Sequence, residues 1–291
     1  MKKIKRGTFM HYTGTVWRLP YEANSILLQV TVACTWNKCK FCGMYEHPFH
    51  PSPISEIEED LQEVARSRTI ADRVHLVGAN PFALSFTRLR DLADMIHQYL
   101  PQVKSIGGFA RITDITPKTD EQLKELRSMG YDGIIIGVES GDDDTLEFMN
   151  KGFKTKDTLE QLQRLERAGI SYDINHMNGL AGAGKGKLHA MASAELYNKL
   201  HPRIINITEL NVNAGSELEK EFRSGNFQEP DLAERIEEQL AFVENLTIPT
   251  VVYFFPNNPS GALMVASFPR DKEKVIKNFQ NALTRIKKNI T

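Results

Sequence analysis

No run of roughly 18 uninterrupted apolar residues occurs in the 291-residue sequence, so no segment reads as a bilayer-spanning helix. The basic opening stretch, residues 1–14, leads into no apolar segment of the kind a secretory leader needs. Both absences set the expectation of a cytoplasmic protein without a membrane partner. An excess of charge of either sign is also missing. Lysine and arginine number 36 against 37 acidic residues, a net charge of −1, where a general nucleic-acid binder would carry a basic excess. Cysteine is scarce and informatively placed. The chain has three, at positions 34, 39 and 42. An odd count so tightly grouped cannot frame a disulfide network, and in a reducing compartment it points to metal binding. No internal repeat or low-complexity tract appears.

What is present is the material of a packed α/β protein. Hydrophobic residues make up 41% and charged residues 25%, enough to bury a full core. Short apolar runs alternate with amphipathic helices, the pattern of βα units on a parallel sheet. Strands are predicted over 25–32, 73–77, 103–109, 133–138, 171–177 and 204–210. Helices are predicted near 55–67, where Ser55 and Glu58 read as a capping box, and through the apolar stripes Phe86-Leu89-Leu92-Ala93-Ile96-Leu100, Leu123-Leu126-Met129 and Leu159-Leu162-Leu165. Gly130 and Gly169 read as the stops of the last two. The run GIIIGV at 133–138 is apolar throughout, as expected of a strand buried on both faces. Six such units predict a partial, open (β/α)6 TIM-like barrel over residues 1–214. Residues 215–291, with a helix near 231–244, the run TVVYFF at 250–255 and a terminal helix from about 271, read as a C-terminal α/β extension packed on that barrel.

The chemistry centres on Cys34-Thr-Trp-Asn-Lys-Cys39-Lys-Phe-Cys42, a C-x4-C-x2-C run directly after the first strand. Three thiolates on one loop can hold three irons of a cubane cluster and leave the fourth iron open. In this run the sequence resembles the radical SAM superfamily, in which a cysteine loop, more commonly C-x3-C-x2-C, follows the first strand of a partial barrel. Phe41 matches the aromatic residue before the last cysteine of that family. Gly78-Ala79-Asn80-Pro81 stands where the family has a segment that receives the amino group of S-adenosylmethionine (SAM), although Asn80 replaces its acid. Ile136-Gly137-Val138-Glu139-Ser140-Gly141, followed by Met149-Asn150-Lys151-Gly152, resembles the segment whose acid and serine contact the SAM ribose and carboxylate.

The resemblance implies a [4Fe–4S] cluster on Cys34, Cys39 and Cys42, and SAM contacts from Phe41, Gly78, Ala79, Asn80, Arg111, Glu139, Ser140 and Asn178. It implies reductive cleavage of SAM to methionine and a 5′-deoxyadenosyl radical that abstracts hydrogen from a small-molecule substrate. A one-electron donor such as flavodoxin or ferredoxin is the implied partner. No cysteine is left over for a second cluster, a methyl carrier or a thiol hydrogen donor. Fragmentation, rearrangement or oxidation of a small substrate, and radical transfer to another protein, stay open.

Other readings compete. Cys34, Cys39 and Cys42 with His47 or His50 would make a Cys3His zinc site in a non-catalytic binding protein, and the same fold acting on a nucleic acid would need a basic face at the barrel mouth. Gly179-Leu-Ala-Gly-Ala-Gly184-Lys185-Gly186 nearly matches a phosphate-binding loop, but glycine occupies the position of the Mg²⁺-binding hydroxyl, so it reads as a glycine-rich turn against the adenosyl group. His75, Asp114, Asn175, His176, Glu209, Asn211 and Asn213 are further candidates at strand ends, where parallel barrels place function. His97, His189 and His201 read as solvated helix residues, and Asp142-Asp143-Asp144 as charge compensation at a helix start.

Overall fold

A computed structural model describes residues 10–13, 16–45, 47–256 and 261–290. Apart from residues 10–13, the basic N-terminal stretch lies outside the described residues. The chain forms β1 (Ile26–Gln29) and β2 (Thr31–Val32), the cysteine loop, β3 (His50–Pro51) and α1 (Ile54–Arg66). Next come β4 (Arg73–Val77), α2 (Phe86–Tyr99), β5 (Ser105–Ala110), α3 (Ile112–Ile115), α4 (Asp120–Ser128), β6 (Tyr131–Glu139), α5 (Asp143–Phe148) and α6 (Thr155–Ala168). The second half holds β7 (Tyr172–Asn178), α7 (Gly186–Tyr197), β8 (Ile204–Glu209), α8 (Glu217–Arg223), α9 (Leu232–Asn245), β9 (Thr250–Phe254), β10 (Met264–Phe268) and α10 (Lys272–Ile290).

Eight strands make one sheet in the order β1-β4-β5-β6-β7-β8-β9-β10, while β2 and β3 pair separately. The first seven of these run parallel, and β10 is antiparallel to β9. The sheet curls without closing, so the expected open, partial barrel is the observed architecture. The run at 250–255 does more than pack on it. It enters the same sheet as β9, beside β8, and α9 is the crossover that brings it there.

Hydrophobic periodicity explains this arrangement. Ile134, Ile135, Ile136 and Val138 of β6 are all 1% exposed or less, because helices cover both the outer face and the barrel's inner side is filled. Leu89, Leu92, Ala93 and Ile96 turn the buried face of α2 to the sheet, and α6 ends at Gly169, whose φ of +76° is left-handed. Apolar residues from β1 through α10, including Leu28, Ile136, Phe242, Val252 and Phe279, belong to one core. The capping box predicted at Ser55 and Glu58 is not formed. The helix starts one residue earlier, at Ile54, with Pro53 as its N-cap and no side-chain cap, because a proline just before the first turn already presets the backbone.

Candidate functional site

The cysteine loop leaves β2 at the C-terminal end of the barrel and folds back over the segment after α5. Two residues of the loop, Ala33 and Asn37, take left-handed φ values of +60° and +47°, and Cys42 N–H donates to Cys39 O at 3.0 Å, closing a turn over the C-x2-C pair. The Trp36 indole N–H donates to Asn150 O at 2.7 Å, the Asn150 amide donates to Lys38 O at 3.0 Å, and Lys40 N–H donates to Met149 O at 3.0 Å. These bonds explain why the cysteine run and the Met149–Gly152 segment occur together in the sequence: one is the seat of the other. A Cβ on Gly152 would sit 2.7 Å from the Trp36 ring, so that seat requires glycine.

Cys34, Cys39 and Cys42 line a cavity of about 320 Å³ together with Phe41, Gly78, Ala79, Arg111, Glu139 and Lys151. Gly78 has φ +124° and lies so close to Thr31 that any Cβ would collide with its hydroxyl and carbonyl oxygens. Only glycine lets the chain turn here and keep its backbone at the cavity. Glu139, at φ +70°, is another strained position, of the sort that persists where the surroundings over-determine it. Its carboxyl is pushed above the ordinary range by burial, which the nearby Lys151 ammonium opposes at 3.7 Å. Lys151 in turn donates to Gly137 O at 3.0 Å. Arg111 is held by the Lys151 carbonyl and by Thr113 Oγ1, with its guanidinium 5.1 Å over the Trp36 ring.

All three cysteines are free thiols and half-buried. Burial pushes the Cys39 thiol up, while Lys151 and Arg111 pull it down; Cys42 is also raised by burial and eased by the Met44 backbone N–H. Two buried cations beside a thiol set is the electrostatics that an anionic metal–thiolate centre needs. Spacing bears on which centre fits. A tetrahedral zinc ion with bonds of about 2.3 Å holds its sulfurs less than 4 Å apart, whereas a cubane spreads its ligands over separate irons. Among the described residues, neither the three cysteines nor these with His47 or His50 bring three donor atoms within 4.8 Å of one another. The donor set fits the cluster.

Three predicted SAM contacts stand away from the cavity lining. Buried Asn80 donates to Thr35 Oγ1 at 2.7 Å and to Asp114 Oδ2 at 2.9 Å and accepts from Thr35 N–H, so it ties the cysteine loop to α3. Ser140 Oγ accepts from Asp142 N–H at 3.0 Å, and the Asn178 amide donates to both Glu209 oxygens. Conversely, Trp17, Arg18 and Leu19 reach the cavity from a segment that precedes every predicted element, and Asn175, Thr208 and Phe109 complete it. Nothing in the periodicity of residues 17–19 marks them, whereas Lys151 lies in the Met149–Gly152 segment.

The glycine-rich turn does not face this cavity. Leu180, Ala181, Gly182, Ala183 and Lys185 line a different one, of about 430 Å³. Four of its backbone donors are already engaged: Gly179 N–H donates to Glu238, Gly182 to Gly179 O, Ala183 to Gln228 O, and Gly184 to Glu234. A phosphate would have to displace those partners to use these four groups. His189, expected to be solvated, is 1% exposed and bonded to Glu238. No helix among the described residues is long and apolar enough to cross a membrane.

Comparison with known proteins agrees with the fold. The family model described as the radical SAM superfamily matches residues 28–186, more than half of the chain. The heme chaperone HemW of Bacillus subtilis (strain 168) is 27% identical over 153 residues, which is 50% of this chain and 40% of that protein, so the chain spans well under half of the relative's length. Among solved structures, coproporphyrinogen III oxidase (HemN) from Escherichia coli superposes with a TM-score of 0.58 at 14% identity, over 77% of this chain and 52% of that one. Methylornithine synthase (PylB) does so with a TM-score of 0.51 at 15% identity, over 89% and 83%.

Proposed function

The chain belongs to the radical SAM superfamily, whose cofactors are a [4Fe–4S] cluster and SAM, and from that premise we propose that it is a radical SAM enzyme acting on a small molecule. The carrying observation is the convergence of Cys34, Cys39, Cys42, Gly78, Ala79, Arg111, Glu139 and Lys151 on one cavity at the C-terminal ends of parallel strands. In this reading residues 1–214 are the radical SAM core and 215–291 the extension that lengthens its sheet.

Bound there, the cofactors supply a one-electron cleavage of the SAM sulfonium and, from it, a radical able to take hydrogen from a substrate. The chain's own residues supply the rest. Cys34, Cys39 and Cys42 would hold the cluster through their thiolates, with SAM bound beside it. The backbone at Gly78 and Ala79 receives the SAM amino group, and Arg111 faces its carboxylate. Glu139 accepts from the ribose hydroxyls; burial raises its carboxyl and the neighbouring Lys151 opposes that shift. Asn80 acts indirectly, by fixing Thr35 beside Cys34. Trp17, Leu19 and Phe109 exclude water from the reacting end. An electron donor and the substrate are the partners this reading requires.

The test is anaerobic reconstitution with iron and sulfide, reduction, addition of SAM and chromatography for 5′-deoxyadenosine. Formation by the wild type but not by Cys39→Ala is expected. A reconstituted protein that binds SAM and forms none would overturn catalysis. The likeness to a protein named a heme chaperone supports a second reading, in which the same cofactor fold handles heme without turnover. Stoichiometric heme uptake by a preparation that makes no 5′-deoxyadenosine would favour it.

A further inference from the structure

Behind the cavity wall, on the helix side of the sheet, β7, α7 and α9 bring His176, His189 and Glu238 together. Each offers a ligand atom, and these atoms all lie within 4.8 Å of one another. All three residues are 1% exposed. His189 Nδ1 is 2.8 Å from Glu238 Oε1, and His176 Nδ1 is 3.2 Å from the Tyr197 hydroxyl. A second, independent observation is the state of the other His189 nitrogen. Nε2 is buried and has no hydrogen-bond partner, where buried polar atoms normally have one.

We propose that His176, His189 and Glu238 form a binding site for a divalent first-row transition ion, for which zinc is the natural occupant. His176 shows the arrangement of a metal-binding histidine, with Nδ1 fixed by the Tyr197 hydroxyl and the other ring nitrogen left as the donor; Glu238 and His189, now bonded to each other, would exchange that bond for the ion. Two imidazoles and a carboxylate make a mixed nitrogen–oxygen set suited to zinc or ferrous iron rather than to calcium or magnesium. The local sequence is shaped around the carboxylate. Gly179 N–H donates to both Glu238 oxygens at 3.0 Å, and a Cβ on Gly186, at the start of α7, would come within 2.7 Å of Glu238 Oε2. The imidazole planes lie 15° from parallel with centroids 5.3 Å apart. Bringing both nitrogens to one ion takes a rotation of the His189 ring about χ2, a broad torsion. His189 also borders the cavity of about 430 Å³ under the glycine-rich turn, which gives an ion its way in. Such an ion would clamp α7 and α9 to the end of β7. The site shares no residue with the cysteine cavity and stands whether or not that cavity is catalytic.

The test removes the thiols first. The full-length variant Cys34→Ala/Cys39→Ala/Cys42→Ala is titrated with Co²⁺ and with Zn²⁺, and bound metal is counted after desalting. Uptake of about one ion per chain, with visible ligand-field bands and no thiolate-to-cobalt charge transfer, is expected. Adding His189→Ala or Glu238→Gln should weaken binding on the order of 100-fold while far-ultraviolet circular dichroism is unchanged. A folded thiol-free protein that takes up neither ion overturns the proposal, as does binding that survives both added substitutions. If the thiol-free chain does not fold, zinc is counted in the cluster-loaded wild type instead. One zinc beyond the iron supports the site, and its absence after equilibration with Zn²⁺ overturns it.

Discussion

The cysteine loop and the glycine-rich turn make the useful comparison, because both directly follow strands, β2 and β7, and both look like ligand motifs in sequence. The difference lies in where their polar groups point. In the cysteine loop the backbone bonds run to the Met149–Gly152 seat and leave three thiols, a glycine backbone and two cations facing a cavity. In the glycine-rich turn the N–H groups of Gly179, Gly182, Ala183 and Gly184 are bonded to Glu238, Gly179 O, Gln228 O and Glu234. A phosphate would have to break those bonds before it could make any. The lesson is that glycines alone do not tell a cradle from a tight turn; the partners of the freed backbone decide.

The largest expected effect falls on the first loop. Cys39→Ala should abolish 5′-deoxyadenosine formation and the cluster's visible absorption, whereas Lys185→Ala in the turn should change the rate by less than about twofold. Equal losses in the two variants would erase the distinction. Next, Glu139→Gln should weaken SAM binding about 10- to 100-fold, since a hydrogen bond to a charged acceptor contributes about 1.5–3 kcal/mol; equilibrium dialysis with the cluster in place measures it. An unchanged dissociation constant would remove Glu139 from the site.

Proton linkage should also separate the loops. Burial raises the Cys39 and Cys42 thiols above the ordinary value of 9.0, so the folded apo-protein holds those protons more tightly than the unfolded chain. Their contribution to stability is whole below the ordinary thiol value and is lost as pH rises through the raised one. Thermal midpoints of the apo-protein should therefore fall above about pH 9, and iron–sulfide loading should speed up over the same range because the ligands must deprotonate. In Cys39→Ala/Cys42→Ala that fall should shrink. The smallest effect belongs to the turn. Gly182→Ala, at φ +84° and with its new Cβ 3.0 Å from the Phe227 ring, should cost about 1–2 kcal/mol in denaturant unfolding. SAM affinity should not move.

The helical and strand periodicities of this sequence carried the barrel: the six units predicted are the six observed, and the stops at Gly130 and Gly169 fall where the helices end. The chemistry of the cysteine run was legible as well, since three thiols within nine residues have few other uses. Asn80 and Asn178 hold hydrogen bonds outside the cavity lining, which strand-end position does not reveal. A polar residue at a strand end has the same sequence signature whether it faces a ligand or closes a hydrogen bond to Thr35 or Glu209.

By itself, then, the sequence determined what depends on local pattern: apolar spacing, glycine at forced turns and the identity of the thiols. The tertiary structure decided what depends on distance through space. It brought Trp17–Leu19 to the cavity, set Lys151 against Glu139, added β9 to the sheet and buried His189 with His176 and Glu238. No window of the chain encodes those contacts, because each joins segments whose meeting is fixed only when the sheet curls and its helices pack.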